Sequence, residues 1–149
     1  IAGMGAAAER GLMQGLPRMD EVAALRDRLQ EIVEELVPGA RLNGSPADVG
    51  DGRLPNTLNM TLPELRGESV VIALDRKGIA LSSGSACKSG SPEPSHALLA
   101  MGMSEADAHC AVRFSLSDGT TADAVERVGE ALAEVLEELE STVRFLPCK

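Results

Sequence analysis

Aromatic side chains are almost missing from this chain of 149 residues, which has two Phe, no Tyr and no Trp. A core must therefore be assembled from Leu, Val, Ile, Ala and Met. A basic surplus is missing too: 14 Lys and Arg face 23 Asp and Glu, for a net charge of −9. So acidic a surface repels phosphate backbones and anionic lipid, which argues against nucleic-acid and membrane partners and for simple solubility. No apolar run approaches the roughly 20 residues of a membrane span. The N-terminus, Ile1-Ala2-Gly3-Met4-Gly5-Ala6, lacks the basic leader of a signal peptide. It also lacks an initiator Met, so the chain is expected to begin inside a longer protein. Cysteine is sparse, with Cys87, Cys110 and Cys148 far apart and no C-x-x-C pair. That pattern argues against a secreted disulfide framework, and His96 and His109 fall in no zinc-ligand spacing, so no metal site is expected. A reducing cytoplasm is the expected compartment.

What is present is the pattern of a single mixed domain, with 44% apolar and 25% charged residues. Ala-rich Ala2 to Gln14 predicts a helix that Pro17 interrupts. Asp20 is positioned to cap a second helix, whose apolar face is Val22, Leu25, Leu29, Ile32, Val33 and Leu36 and which stops at Pro38-Gly39. Ala40 to Asn43 reads as a short extended piece and Gly44 to Arg53 as a loop. Asn56 to Leu62 alternates, placing Leu58, Met60 and Leu62 on one side and Thr57, Asn59 and Thr61 on the other, which is a strand. Gly67 to Lys77 predicts a helix with Val70, Val71 and Leu74 facing in, and Gly78 at its end. Ile79-Ala80-Leu81 reads as a short strand and Ser82 to Ser91 as a loop of small residues. A short helix carrying Ala97, Leu98 and Met101 follows, then a turn capped by Ser104. Ala111 to Leu116 is a second alternating strand, with Val112, Phe114 and Leu116 on one face and Ala111, Arg113 and Ser115 on the other. Thr120 or Thr121 caps the last long helix, striped by Val125, Val128, Leu132, Val135, Leu136 and Leu139. The result is a compact α/β domain with helices packed on one small sheet.

The strongest chemical signal is Cys87, the single Cys in Ser82-Ser83-Gly84-Ser85-Ala86-Cys87-Lys88-Ser89-Gly90-Ser91. Such a run cannot pack a core, and it follows directly on an apolar segment, so one end is anchored. A thiolate is the reactive form, and the adjacent Lys88 charge favours it. The alternative is an ordinary exposed Cys in a linker, whereas Cys110 sits among apolar neighbours in the manner of a buried structural Cys. Arg113 is the second candidate. It lies mid-strand between small neighbours, and a guanidinium offers a planar fork for a carboxylate; the alternative is a solvent-facing Arg. His96 and His109 have no carboxylate partner in sequence and read as surface or capping residues. A His109–Cys110 couple is disfavoured if both lie on a strand, because neighbours there point to opposite faces.

With these residues in view, the chain resembles the C-terminal part of the NifS/IscS-type cysteine desulfurases, members of the class V aminotransferases. The motifs that carry the resemblance are Arg53-Leu54-Pro55-Asn56-Thr57-Leu58-Asn59, Gly67-Glu68-Ser69, Ser82-Ser83-Gly84-Ser85-Ala86-Cys87, Glu93-Pro94-Ser95-His96 and Val112-Arg113-Phe114-Ser115-Leu116. The resemblance implies the small C-terminal domain of the aspartate-aminotransferase superfamily of pyridoxal-phosphate enzymes (fold type I). Residues 1–37 would be the connecting long helix, broken near Pro17, and 38–149 the small domain with its Cys loop at 82–91. It implies that Cys87 is the nucleophile that attacks the sulfur of cofactor-bound L-cysteine, forms a persulfide, releases L-alanine and passes sulfur to an acceptor. It implies that Arg113 holds the substrate's α-carboxylate. Partners would be L-cysteine, a sulfur acceptor or iron–sulfur scaffold protein, an N-terminal cofactor domain and a second copy in a dimer. The family attaches pyridoxal phosphate through a Lys in a Ser-x-His-Lys context. Lys77, Lys88 and Lys149 have no such context, so the cofactor is expected to be bound by a domain outside this chain, and the isolated chain is expected to be inactive. A separate sulfur-carrier module and a selenocysteine lyase are the alternatives.

Overall fold

A computed structural model describes residues 1–44, 53–84 and 93–143. Its elements run α1 (Ala2–Arg10), α2 (Met19–Leu36), β1 (Arg41–Leu42), β2 (Thr57–Thr61), α3 (Gly67–Arg76), β3 (Ser82–Ser83), α4 (His96–Ala100), α5 (Glu105–His109), β4 (Ala111–Ser115) and α6 (Ala122–Val143). The four strands form one antiparallel sheet in the order β1-β2-β4-β3.

The period-two pattern decides which face of the sheet is buried. Leu58, Met60 and Leu62 have no exposed surface, and Val112, Phe114 and Leu116 join them on the same face. Against that face lie Val22, Leu29, Ile32 and Val33 of α2, Val70 and Leu74 of α3, and Val125, Leu132 and Val135 of α6. Each such side chain contributes about 1.5–3 kcal/mol by leaving water. On the other face, Leu98 of α4 and Ala108 of α5 pack on Ala111 in a second, small cluster. That cluster covers only the Ala111 end of the face, and Ser115 at the opposite end of β4 is exposed.

The helix ends follow their capping chemistry. Gly78 takes φ +77 just past α3 and donates to Asp75 O while Ile79 N–H donates to Leu74 O, which closes the last turn in a Schellman motif. Ser104 Oγ accepts from Asp107 N–H at the start of α5, and Thr121 Oγ1 accepts from Ala124 N–H at the start of α6. No helix among the described residues is long and apolar enough to cross a membrane.

Several expectations need correction. Regular α-helix is interrupted around Pro17, as expected, but the N-terminal helix does not end there. It widens into a π turn at Gly11–Gly15, tightens to a 3-10 turn at Leu16–Arg18 and runs on into α2. A proline ring clashes with the carbonyl four residues earlier, and a widened turn moves that carbonyl aside. Asp20 is not the N-cap: α2 begins at Met19, Arg18 takes the cap position without a side-chain cap bond, and Asp20 lies in the first turn beside Glu21. Ile79-Ala80-Leu81 is not a strand, and the pairing instead begins at Ser82. Ile79 and Leu81 do pack on the core, so the apolar signal was one of burial rather than pairing. Val71 is only half-buried, and Ala97 and Met101 are exposed.

Candidate functional site

The sheet face opposite the core carries a row of polar side chains. Asn59 of β2 stands directly across from Arg113 of β4, and Ser82 of β3 stands across from Arg113 on its other side. Asn43, just past β1, donates its backbone N–H to Asn59 O at 2.9 Å and completes the row Asn43–Asn59–Arg113–Ser82. Directly opposed Cβ atoms in antiparallel pairs are about 4.5–5.5 Å apart, so these side chains are neighbours.

Arg113 is half-buried at the centre of the row. Among the described residues its one hydrogen bond runs from Nη2 to Ser82 Oγ at 3.5 Å, the outer limit of such a bond. Its Nε–H is buried without a partner. No carboxylate among the described residues pairs with it; the salt bridges there belong to Arg10, Arg18, Arg26, Arg28, Arg41, Arg53 and Lys77. A sheltered guanidinium with a buried, unused N–H is costly to leave unpaired, and an anionic ligand is the natural remedy.

Asn59 and Asn43 are held by a directed chain of hydrogen bonds. Thr61 Oγ1, on a fully buried residue, donates to Asn43 Oδ1 at 3.0 Å, and Asn43 Nδ2 donates to Asn59 Oδ1 at 2.8 Å. Sequence alternation places Asn59 and Thr61 on the polar face, but not Asn43 or Ser82 beside them, because strand register brings those together.

Cys87 and Lys88 lie outside the described residues, as does Cys148. Cys87 follows the described Gly84 by three positions. Gly84 sits tight on the sheet: its N–H donates to Ala111 O at 2.9 Å, and a Cβ there would stand 3.1 Å from Ala108 O. The segment leading to Cys87 thus starts as a strand beside Arg113, not as a loop, because the small Ser and Gly residues allow close approach to β4. Cys110 is half-buried rather than fully buried, at the C-terminal cap of α5. Burial pushes its thiol pKa up, with Asp107 adding to the effect. His109 ends α5 and Cys110 caps it, so neither lies on a strand as supposed. His96 is the exposed first residue of α4.

A second polar cluster ties the Arg53-Leu54-Pro55 motif to α2. Asp27 Oδ1 accepts from Arg26 Nε at 2.9 Å, Arg26 Nη2 at 2.6 Å and Arg53 Nη2 at 3.0 Å. Arg26 also donates to Leu54 O at 3.1 Å, and Arg53 to Gln30 Oε1 at 3.1 Å. Arg53's pKa is lowered by burial and then by the nearby Arg26 charge. Arg26, buried within the apolar stripe of α2, was not legible as a core residue because its spacing reads as polar.

Three comparisons set this geometry among known proteins. The family model for class-V aminotransferases matches residues 1–128. The chain belongs to that family. It is 44% identical over 139 residues to cysteine desulfurase NifS of Azotobacter vinelandii, covering 93% of this chain and 34% of that protein. It is 43% identical over 147 residues to a cysteine desulfurase of Cereibacter sphaeroides, covering 97% of this chain and 36% of that one. Among solved structures, a NifS-like protein matches with a TM-score of 0.67 at 26% identity, over 89% of this chain and 30% of that one. The NifS-like protein of Rickettsia africae matches with a TM-score of 0.65 at 25% identity, over 85% and 30%. The fold is therefore that of a small α/β portion of the NifS-like fold type I proteins, and the chain spans about a third of the length of the relatives it matches.

The family implies pyridoxal phosphate. The described residues do not fit the role of holding it. Their one lysine, Lys77, donates to Glu134 at 2.7 Å and Glu138 at 2.9 Å, and these bonds raise its pKa. A lysine fixed as a charged pair is not the free amine that a Schiff base requires.

Proposed function

We propose that this chain is the substrate-facing portion of a cysteine desulfurase, in which Arg113 binds the α-carboxylate of L-cysteine and Cys87 takes up its sulfur as a persulfide. In the complete enzyme the sulfur passes to an acceptor or scaffold protein, for iron–sulfur clusters or another sulfur cofactor, and L-alanine is released. The observation that carries this reading is Arg113 itself: a sheltered guanidinium with no carboxylate partner among the described residues, next to Ser82 on the strand that leads to the Cys87 segment. The fork for one end of an amino acid would then lie on β4, and the nucleophile for the other would follow in the chain after β3, the strand paired with it. The relatives named cysteine desulfurase support the same chemistry.

The cofactor's electron sink belongs, in this reading, to a separate N-terminal domain of the longer protein. Support comes from residues 1–18, which turn Met4, Leu12, Met13 and Leu16 to solvent at 62–79% exposure. Exposed apolar surface of this kind suits a contact with another domain. Residues 1–37 would connect the two, and a second copy would complete a dimer. A reducing cytoplasm is the proposed setting, since a thiol nucleophile must stay reduced between turnovers.

The test is Arg113→Ala in the full-length protein. Loss of a charge-assisted pair costs about 1.5–3 kcal/mol, so the KM for L-cysteine should rise roughly ten- to hundredfold. An unchanged KM would overturn the assignment.

A further inference from the structure

Arg113 does not face the ligand side of the sheet alone. Asn59 is its direct cross-strand partner on the same face. The Asn59 carboxamide is oriented from behind: Thr61 Oγ1 donates to Asn43 Oδ1, which turns Asn43 Nδ2 onto Asn59 Oδ1. With Asn59 Oδ1 turned to accept from Asn43, the Asn59 Nδ2–H₂ is the end of the amide turned away from β1, and that group has no protein acceptor among the described residues. A carboxamide donor beside a guanidinium makes a two-residue site for the two oxygens of one carboxylate. Opposed Cβ atoms about 5 Å apart suit a group bridged by two hydrogen bonds.

We propose that Asn59 is a specificity-determining contact to the substrate's carboxylate, held in its donor orientation by the Asn43–Thr61 relay. The inference rests on the Arg113 reading and extends it. Asn59 would sharpen selection for amino acids over the corresponding amines, because an amine leaves both donors unanswered. Asn43 is a positioning residue that acts through Asn59.

The test compares L-cysteine with cysteamine, which has the same thiol and amine but no carboxylate. Equilibrium binding and KM against kcat are measured for both in the full-length holoenzyme. Asn59→Ala should weaken L-cysteine binding about tenfold and leave cysteamine within about twofold, so that discrimination falls by nearly the whole factor. Asn59→Asp keeps the shape and the acceptor for Asn43 but places an anion beside Arg113. It should lose more L-cysteine affinity than Asn59→Ala while folding normally by circular dichroism. Asn43→Ala should show a smaller loss of the same kind. If Asn59→Ala and Asn59→Asp both retain wild-type discrimination while Arg113→Ala loses it, this inference is overturned and the Arg113 reading stands. If Arg113→Ala also retains discrimination, the Arg113 reading itself fails. Equal weakening of both ligands by Asn59→Ala would make Asn59 merely structural and likewise overturn the inference.

Discussion

Replacing Gly84 with Ala puts one methyl group where the chain passes from β3 towards Cys87. The new Cβ would lie 3.1 Å from Ala108 O, 3.1 Å from Leu98 Cδ1 and 3.2 Å from Ala111 Cβ. The Leu98 tip can swing away. Ala108 O belongs to the backbone of α5 and Ala111 Cβ to β4, so neither yields easily, and the Gly84 segment must lift by a few tenths of an ångström. Overpacking costs about 1–3 kcal/mol, and a shortfall this small belongs in the lower half. The Ala chain loses less backbone entropy on folding, which offsets about 0.4–1 kcal/mol. The net is about 1 kcal/mol. Gly67 is the harsher case: its Cβ would stand 2.4 Å from Ala111 O and 3.3 Å from His109 O, with backbone on both sides. There the cost reaches about 3 kcal/mol or more. With no Trp or Tyr for fluorescence, urea unfolding is followed by far-ultraviolet circular dichroism. At a slope near 2 kcal/mol per molar, Gly84→Ala should lower the midpoint by about 0.5 M and Gly67→Ala by about 1.5 M. Persulfide yield on Cys87 should fall in Gly84→Ala by more than its stability loss explains. A Gly84→Ala protein as stable as wild type, or less stable than Gly67→Ala, would refute the packing argument.

Asp27→Ala removes the carboxylate shared by Arg26 and Arg53. It should cost about 2 kcal/mol in the same assay, a value discounted because the Asp27 side chain is 45% exposed, and Asp27→Asn should cost about half as much. The Ser104 hydroxyl, and then Arg41, hold the Asp107 carboxyl below its ordinary value of 3.8. Its stabilising effect is therefore present above that ordinary value and is lost as pH falls through the lower folded value. An NMR titration should show this midpoint, and Ser104→Ala and Arg41→Ala should each raise it; a midpoint unmoved by both would contradict the assignment. Cys110, with its pKa raised chiefly by burial, should stay a thiol at neutral pH and react with iodoacetamide more slowly than free cysteine; an equal rate would contradict that.

Much of this fold was written in periodicity. Leu58, Met60 and Leu62 alternate, Val112, Phe114 and Leu116 alternate, and both trios meet in the core. The misplaced strand at Ile79-Ala80-Leu81 shows the limit of that signal. An apolar run records burial, whereas Ser82 and Ser83 pair with β4 through backbone groups that carry no residue signature. Arg113 was legible because a cation between small residues on a half-apolar strand is unusual. Its neighbours were not: Asn43 and Ser82 lie far from it in sequence, and only the register of the four strands aligns them with Asn59. Arg26 escaped notice for the opposite reason, since nothing local announces that a charged residue will be buried against Asp27 and Leu54 O.

The central claim is that Cys87 carries sulfur taken from cysteine bound beside Arg113. Its most direct test is mass analysis of the Cys87 peptide after one turnover of the full-length protein with L-cysteine labelled at sulfur. The account predicts a peptide heavier by one labelled sulfur atom, lost on reduction and absent from Cys87→Ser. Label on Cys110 or Cys148 instead, or alanine release undiminished in Cys87→Ser, would contradict it.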